Sequence, residues 1–143
     1  MRVFVDTNLW VYRLDSRDLA KQDFLKRWLR DLGANHEIVL STQVLIEFRA
    51  VLARKFRPAL SATEIGQSLE ILTRFEVVPA STALVMDAHV LADREQLGWF
   101  DALIVEAAIR SRCSVLYSED LGHGRRIDSL QIQNPLFPAP PMP

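Results

Sequence analysis

Short apolar runs alternate with longer stretches of helical periodicity from the start of the chain, and this alternation restricts the fold more than any other feature. Val3-Phe4-Val5 reads as a short buried strand. Leu25, Trp28, Leu29 and Leu32 then recur at i, i+3, i+4 and i+7, placing one apolar stripe on a helix before Gly33. Ile38-Val39-Leu40 is a second strand. Ser41 and Thr42 are candidate N-caps of a helix that carries Leu45, Phe48 and Leu52 on one side and ends before Pro58. Ser61-Ala62-Thr63-Glu64 is a capping box, in which hydroxyl and carboxylate each satisfy an orphan backbone N–H, ahead of Ile65, Leu69 and Leu72. Val77-Val78 reads as a strand, Thr82 to Leu97 as a helix closed by Gly98, Asp101 to about Arg112 as the next helix, and Val115-Leu116-Tyr117 as a fourth strand. Parallel neighbours need a crossover connection, so strands alternating with helices predict an α/β fold. The expected architecture is a three-layer α/β/α sandwich with a mostly parallel central sheet.

At 143 residues the chain supports one core, because a split would leave two undersized ones. The expected organisation is a single domain over 1–134 and a Pro-rich extended tail over 135–143, which holds five of the seven prolines. No internal repeat is visible. With 49% hydrophobic and 24% charged residues, disorder, coiled coil and collagen are excluded. No apolar run approaches the roughly 18 to 20 residues of a membrane helix, Asp6 interrupts the stretch where a signal peptide would be apolar, and Cys113 is unpaired. A cytoplasmic protein with no membrane contact is expected. Seventeen Lys plus Arg against 18 Asp plus Glu excludes a general polycation and leaves room for a local basic patch.

In an open parallel sheet ligands bind beyond the carboxyl ends of the strands, and the residues found there are acids. Asp6 follows the first strand, Asp120 lies just past the fourth, and Asp101 opens the helix that leads into it. Glu47 sits in the first two turns of the helix after the second strand, beside Phe48. Each has a bland alternative. An Asp after a strand is often a turn former or cap, and an Asp at a helix start answers the macrodipole. Glu47 and Asp101 resist that explanation, since their i+3 and i+4 neighbours are Ala50 and Val51, and Ile104 and Val105, with no cation among them. Clustered carboxylates would repel one another and raise their own pKa values unless a cation intervened.

Hard oxygen donors without neighbouring Cys or His favour Mg²⁺, with Mn²⁺ as its substitute. His36, His89 and His123 are too scattered to be ligands, and Cys113 reads as a small core residue. Mg²⁺ held by acids either grips nucleotide phosphates or activates water against a phosphodiester. Gly122-His123-Gly124 matches neither a dinucleotide fingerprint nor a P-loop, so phosphodiester hydrolysis is the reading left.

The blocks Val3-Phe4-Val5-Asp6-Thr7-Asn8, Val44-Leu45-Ile46-Glu47-Phe48, Phe100-Asp101-Ala102-Leu103-Ile104 and Leu116-Tyr117-Ser118-Glu119-Asp120-Leu121 together resemble the PIN-domain ribonucleases over nearly the whole chain. Their order and spacing look most like the VapC toxins of bacterial toxin–antitoxin pairs, including Leu121-Gly122-His123-Gly124 and the later Asn134-Pro135-Leu136-Phe137. The resemblance implies that Asp6, Glu47, Asp101 and Asp120 are the catalytic, metal-holding acids, with Asn8 and Ser118 as polar supports. Ser118 stands where Thr is common, a change that keeps the hydroxyl. Glu119 beside Asp120 leaves open which of the two faces the metal; Asp120 is the expected one, with Glu119 auxiliary. The implied activity is metal-dependent endoribonuclease cleavage by activated water, leaving 5′-phosphate and 3′-hydroxyl ends. The implied partners are an RNA substrate, a cognate VapB-type antitoxin and a second copy in a homodimer, with DNA met only through the antitoxin.

RNA must still be held by a chain of near-zero net charge. Arg49 and Arg54 on the Glu47 helix, with Lys55 and Arg57 after them, and Arg125 and Arg126 beyond the last predicted strand, near Arg110 and Arg112, are candidate phosphate contacts, weighed against a merely solvated face. Two other functions fit the same fold: a catalytically silent binding module, whose signature is loss of an acid, and a housekeeping RNA-maturation nuclease. A receiver-type signalling domain would need a lysine in the back half of the chain, and Lys21, Lys26 and Lys55 all precede it.

Overall fold

In the computed structural model, which describes residues 1–137, Val3-Phe4-Val5 forms the buried part of β1 (Arg2–Val5). Helices separate it from the next three strands in the chain. α1 (Thr7–Tyr12) and α2 (Leu19–Asn35) lead to β2 (Glu37–Ser41); α3 (Thr42–Lys55) and α4 (Ala62–Leu72) lead to β3 (Glu76–Val78). α5 (Thr82–Glu95) and α6 (Trp99–Arg110) return to β4 (Val115–Tyr117), and β5 (Arg126–Ile127) and β6 (Leu130–Gln133) follow. The sheet order is β3-β2-β1-β4-β6-β5, parallel throughout except for the antiparallel β5–β6 pair. This is the expected mostly parallel sheet between helical layers.

The order fixes where a ligand can sit. From β1 the chain steps through β2 to β3 in one direction, then returns across β1 to place β4 on its other side. Right-handed crossovers therefore put α1–α4 on one face and α5 and α6 on the other. Within the layers α1 packs against α2 and α3, α3 against α4, and α5 against α6, while α3 and α6, which carry Glu47 and Asp101, also meet. Beyond β1 and β4 the connections diverge, and this point of reversed strand order is where an open parallel sheet binds ligands.

Both helical layers close on one continuous core. Phe4, Val39, Leu40 and Leu116 on the strands meet Leu9, Trp10, Phe48 and Leu52 on one side and Ile104 and Val105 on the other side, all with at most 1% exposure. Trp10 donates its indole N–H to the Val5 carbonyl at 3.2 Å and packs its ring 5.2 Å from that of Phe75. The Ser61–Glu64 capping box forms with both reciprocal bonds, and Ser41 caps α3 through the Val44 N–H at 3.3 Å.

Several boundaries differ from the sequence reading, each for a local reason. α2 continues through Gly33 to Asn35, because burying Leu25, Leu29 and Leu32 outweighs the roughly 1 kcal/mol that one helical glycine costs. α5 stops at Glu95, where Gln96 takes the left-handed conformation at φ 53°, and Gly98 is the N-cap of α6 rather than the end of α5. α1, too short to show a period, and the β5–β6 hairpin are additions to the reading. Pro135 to Phe137, expected to open an extended tail, form a turn in which the Asn134 carbonyl accepts from the Phe137 N–H at 3.0 Å and Leu136 packs on the core. The rest of that segment, 138–143, lies outside the described residues.

Residues flanking Glu47 test the orientation of α3. Phe48 is fully buried and Ile46 is 57% exposed. Urea unfolding should show Phe48→Ala destabilised by about 3–5 kcal/mol, with Ile46→Ala within about 0.5 kcal/mol of wild type. Equal losses would mean that α3 is turned the wrong way.

Candidate active site

Asp6 stands at the end of β1, where Val5 is in register with Tyr117 and the Asp6 N–H donates to the Tyr117 carbonyl at 2.9 Å. Its backbone is extended, so its side chain caps α1: Oδ1 accepts from the Thr7 N–H at 2.7 Å. Oδ2 accepts from the hydroxyl of Ser118, a wholly buried residue just past β4, at 2.8 Å. The Ser118 Oγ in turn accepts from the Asp120 N–H at 3.3 Å, and Asn8 donates its amide to Asp120 Oδ2 at 3.0 Å. Ser118 thus links Asp6 to Asp120, and Asn8 adds a second bond to Asp120.

Glu47 enters from α3 and Asp101 from the first turn of α6, so the two helical layers each contribute a carboxyl. The four groups lie in one another's field. Burial, and secondarily the charges of Asp101 and Asp120, push Asp6 up to about 6, against the pull of the Thr7 N–H and Ser118 hydroxyl. Burial together with Asp6 and Asp101 raises Glu47 to about 7, opposed in part by hydrogen bonding from Gln43 one turn earlier. Burial and Asp120 raise Asp101 as well. Glu47 Oε2 is buried with no hydrogen-bond partner, as is Thr7 Oγ1 nearby in sequence to Asp6. Among the described residues, none of the four acids is in a salt bridge.

Glu119 belongs to a different cluster. It accepts from the Tyr12 hydroxyl and pairs with Lys21 at 3.4 Å, while the Lys21 ammonium lies 3.5 Å from the centre of the Tyr12 ring. Burial and Glu119 drive the Tyr12 phenol well above its ordinary pKa. Asp120 is therefore the acid coupled to Asp6 and Asp101, and Glu119 is held away by a tyrosine and a lysine that sequence reasoning did not single out. Gln43 was missed too, although a polar residue on the buried stripe of an amphipathic helix was a visible signal. Of the basic candidates, Arg49 and Arg54 are exposed on α3 and Arg126 is exposed on β5. Arg125 instead reaches the last turn of α5, donating to the Glu95 carbonyl at 2.6 Å with the Glu95 carboxylate at 3.7 Å. His123 is structural: its Nδ1 accepts from the Asn134 N–H at 3.0 Å, and its ring lies 4.5 Å from that of Phe137.

A family model described as PIN domain matches residues 3–128. The chain belongs to the PIN domain family. Among solved structures this PIN domain is similar to VapBC2 from Rickettsia felis bound to a DNA fragment from its promoter, at 23% identity and a TM-score of 0.68, covering 94% of this chain and 98% of that one. It is similar to the Mycobacterium tuberculosis sarcin-ricin loop cleaving toxin VapC20, at 22% identity and a TM-score of 0.65, covering 82% and 89%. A third, VapBC-1 from nontypeable Haemophilus influenzae, shares 20% identity with a TM-score of 0.65 over 94% and 98%. At these identities the likeness is one of fold. No curated protein matches the chain.

The raised carboxyls set the sign of a pH effect on stability. A carboxyl whose folded pKa lies above its unfolded value binds its proton more tightly in the native state, so ionisation destabilises the fold. For Asp6 this penalty is absent below about 3.8, grows as pH rises toward about 6, and is complete above it. Metal-free Asp6→Asn should accordingly be more stable than wild type by about 1–3 kcal/mol at pH 8, with the gain vanishing near pH 4, by urea unfolding at both pH values. A gain that does not change with pH would remove the electrostatic explanation.

Proposed function

We propose that this PIN domain is a Mg²⁺-dependent endoribonuclease of the VapC kind, with Mn²⁺ able to replace Mg²⁺, and the toxin of a VapBC-type pair. The observation that carries the reading is the uncompensated set Asp6, Glu47, Asp101 and Asp120, with Glu47 Oε2 buried and unpartnered among like charges. A hard divalent cation fits that donor set, because it supplies the missing charge and prefers carboxylate oxygen. As they stand the described residues form no ready-made metal cage of three or more His, Cys, Asp or Glu.

Asp6, Glu47, Asp101 and Asp120 would hold the ion. The chemistry such an ion would supply there is charge neutralisation at the phosphodiester and activation of water. Asp6 is fixed by two hydrogen bonds and Asp120 by the Asn8 amide, so neither has to reorganise when substrate arrives. Glu47, lifted to about 7 by burial and by the charges of Asp6 and Asp101 in the metal-free chain, is the carboxyl whose ionisation a bound cation would favour most. Arg49, Arg54 and Arg126 supply exposed positive charge for the RNA backbone; Arg125 reaches it only by giving up Glu95.

The partners follow from the same reading. VapBC complexes with this fold support a VapB-type antitoxin as the inhibitor, with DNA contacted through that antitoxin. A homodimer is supported by Met86 and Val90, one turn apart and each at least 60% exposed on α5, close in sequence to exposed Trp99 and Phe100 on α6. Among the described residues no helix is long and apolar enough to cross a membrane.

The decisive experiment is cleavage of labelled structured RNA by protein freed of inhibitor, with Mg²⁺ or Mn²⁺ against EDTA. Cutting should need the metal, fall at least a hundredfold in Asp6→Asn or Asp120→Asn, and stay within about tenfold of wild type in Glu119→Gln. The same metals should raise the melting temperature of wild type more than that of Asp6→Asn. Wild-type cutting by Asp6→Asn would show that the assigned site is wrong.

A further inference from the structure

At the end of the sheet opposite the acids lies a pocket of about 380 Å³, walled by Trp10, Leu29, Ile38 and Phe75 and lined by Arg13, Lys26 and Arg30. Ile38 is near the amino end of β2 and Phe75 immediately precedes β3, whereas Asp6 and Ser118 follow the carboxyl ends of their strands. In a chain of net charge −1, three cations and no acid line one cavity. Among the described residues none of the three is in a salt bridge, whereas their neighbour Arg27 pairs with Asp23 at 3.1 Å on the same helix. Arg13 is fixed beneath the pocket by its guanidinium over the Trp10 ring, 5.3 Å from the centroid, and its Nε–H is buried with no acceptor. A buried donor left unsatisfied costs about 1–3 kcal/mol, and like cations repel, so the arrangement is completed by an anion.

The walls say what kind of anion. Lys26, Leu29, Arg30 and Gly33 recur at i, i+3, i+4 and i+7 along α2, setting two cations and an apolar side chain on one stripe facing the half-buried Phe75. Gly33 keeps the cavity mouth free of a side chain. Charge beside apolar and aromatic surface, in a volume of this size, matches a phosphate with a nucleobase attached better than a bare inorganic ion.

We propose that the pocket between α2 and the amino ends of β2 and β3 is a nucleotide-phosphate site, in which Arg13, Lys26 and Arg30 hold the phosphate and the half-buried Phe75 receives the base. The nucleotide is either free or a unit of an RNA strand. The strand form rests on the ribonuclease reading; the pocket chemistry does not.

Titration of the wild-type chain with AMP, followed by amide NMR, should shift Gly33 and Phe75 more than inorganic phosphate does. Lys26→Gln/Arg30→Gln, both exposed on α2, should weaken AMP at least tenfold, and Arg27→Gln should leave it unchanged. A labelled oligoribonucleotide is then bound to Asp6→Asn in EDTA with and without the double substitution. At least a tenfold loss of RNA affinity, with a shallower salt dependence, places a strand in the pocket. Unchanged RNA affinity with lost AMP binding assigns it to a free nucleotide. No AMP shift at Gly33 or Phe75 together with unchanged RNA affinity overturns the proposal. A chain that binds AMP here and never cleaves RNA keeps this site and loses the ribonuclease reading instead.

Discussion

The structure turns on the carboxyl of Asp6 at the end of the central strand. β1 has β2 on one side and β4 on the other, so the residue that follows it leaves the sheet where both neighbouring connections diverge. Its N–H continues the ladder to Tyr117, its Oδ1 begins α1, and its Oδ2 takes the Ser118 proton. One side chain thus joins the end of β1, the start of α1 and the loop beyond β4. An amide in its place keeps much of this geometry, because an amide oxygen accepts and the amide nitrogen donates to the same hydroxyl. The charge is what an amide removes, and the four-element convergence of acids is therefore separable from the fold that presents it.

Those acids oppose folding. Burial is the largest cause of the rise at both Asp6 and Glu47, Asp101 and Asp120 add to it at Asp6, Asp6 and Asp101 add to it at Glu47, and no lysine or arginine relieves them. The fold tolerates the strain because rigid core elements set their positions. Phe48, next to Glu47, is wholly buried, and Ala102 and Ile104, one and three residues after Asp101 on α6, are buried as well. A core of this density does not relax to separate four like charges by sliding its helices. The hydrogen bonds from Thr7, Ser118 and Asn8 then hold Asp6 and Asp120 in place above that core.

Much of this was legible in the sequence because the governing periods are local. Strand runs such as Ile38-Val39-Leu40 and the Ser61–Glu64 capping box announce themselves within a few residues. The four acids were legible as positions after strands and at helix starts, and their order supplied the family resemblance. Their convergence was not derivable, since it depends on β4 returning to the far side of β1, and strand order is a long-range choice. α1 escaped notice because six residues hold less than two turns, and its stabilisation comes from Asp6 and from burial of Leu9 and Trp10 rather than from a repeat. Leu130-Gln131-Ile132-Gln133 did alternate in the manner of a strand, with every second residue buried, but its β5 partner is only two residues long. Arg125 read as a free cation because its partner, the end of α5, lies thirty residues away in sequence.

Glu119 and Asp120 show how adjacent residues of one charge acquire different tasks. Ser118 is buried, with its hydroxyl on Asp6; Glu119 is bound to Tyr12 and Lys21; Asp120 returns to Asn8. Each is sorted by what the neighbouring layer offers, cationic and phenolic beside α2 and acidic beside α6. The same sorting extends along α2 itself. Its first turn pairs Lys21 with an acid, whereas Lys26 and Arg30 farther along meet only apolar walls and another arginine. A nearly neutral chain therefore carries uncompensated negative charge at the carboxyl ends of its strands and uncompensated positive charge at the amino ends of β2 and β3. Such separation has an electrostatic cost at both ends, which the cation and the nucleotide proposed for them would relieve.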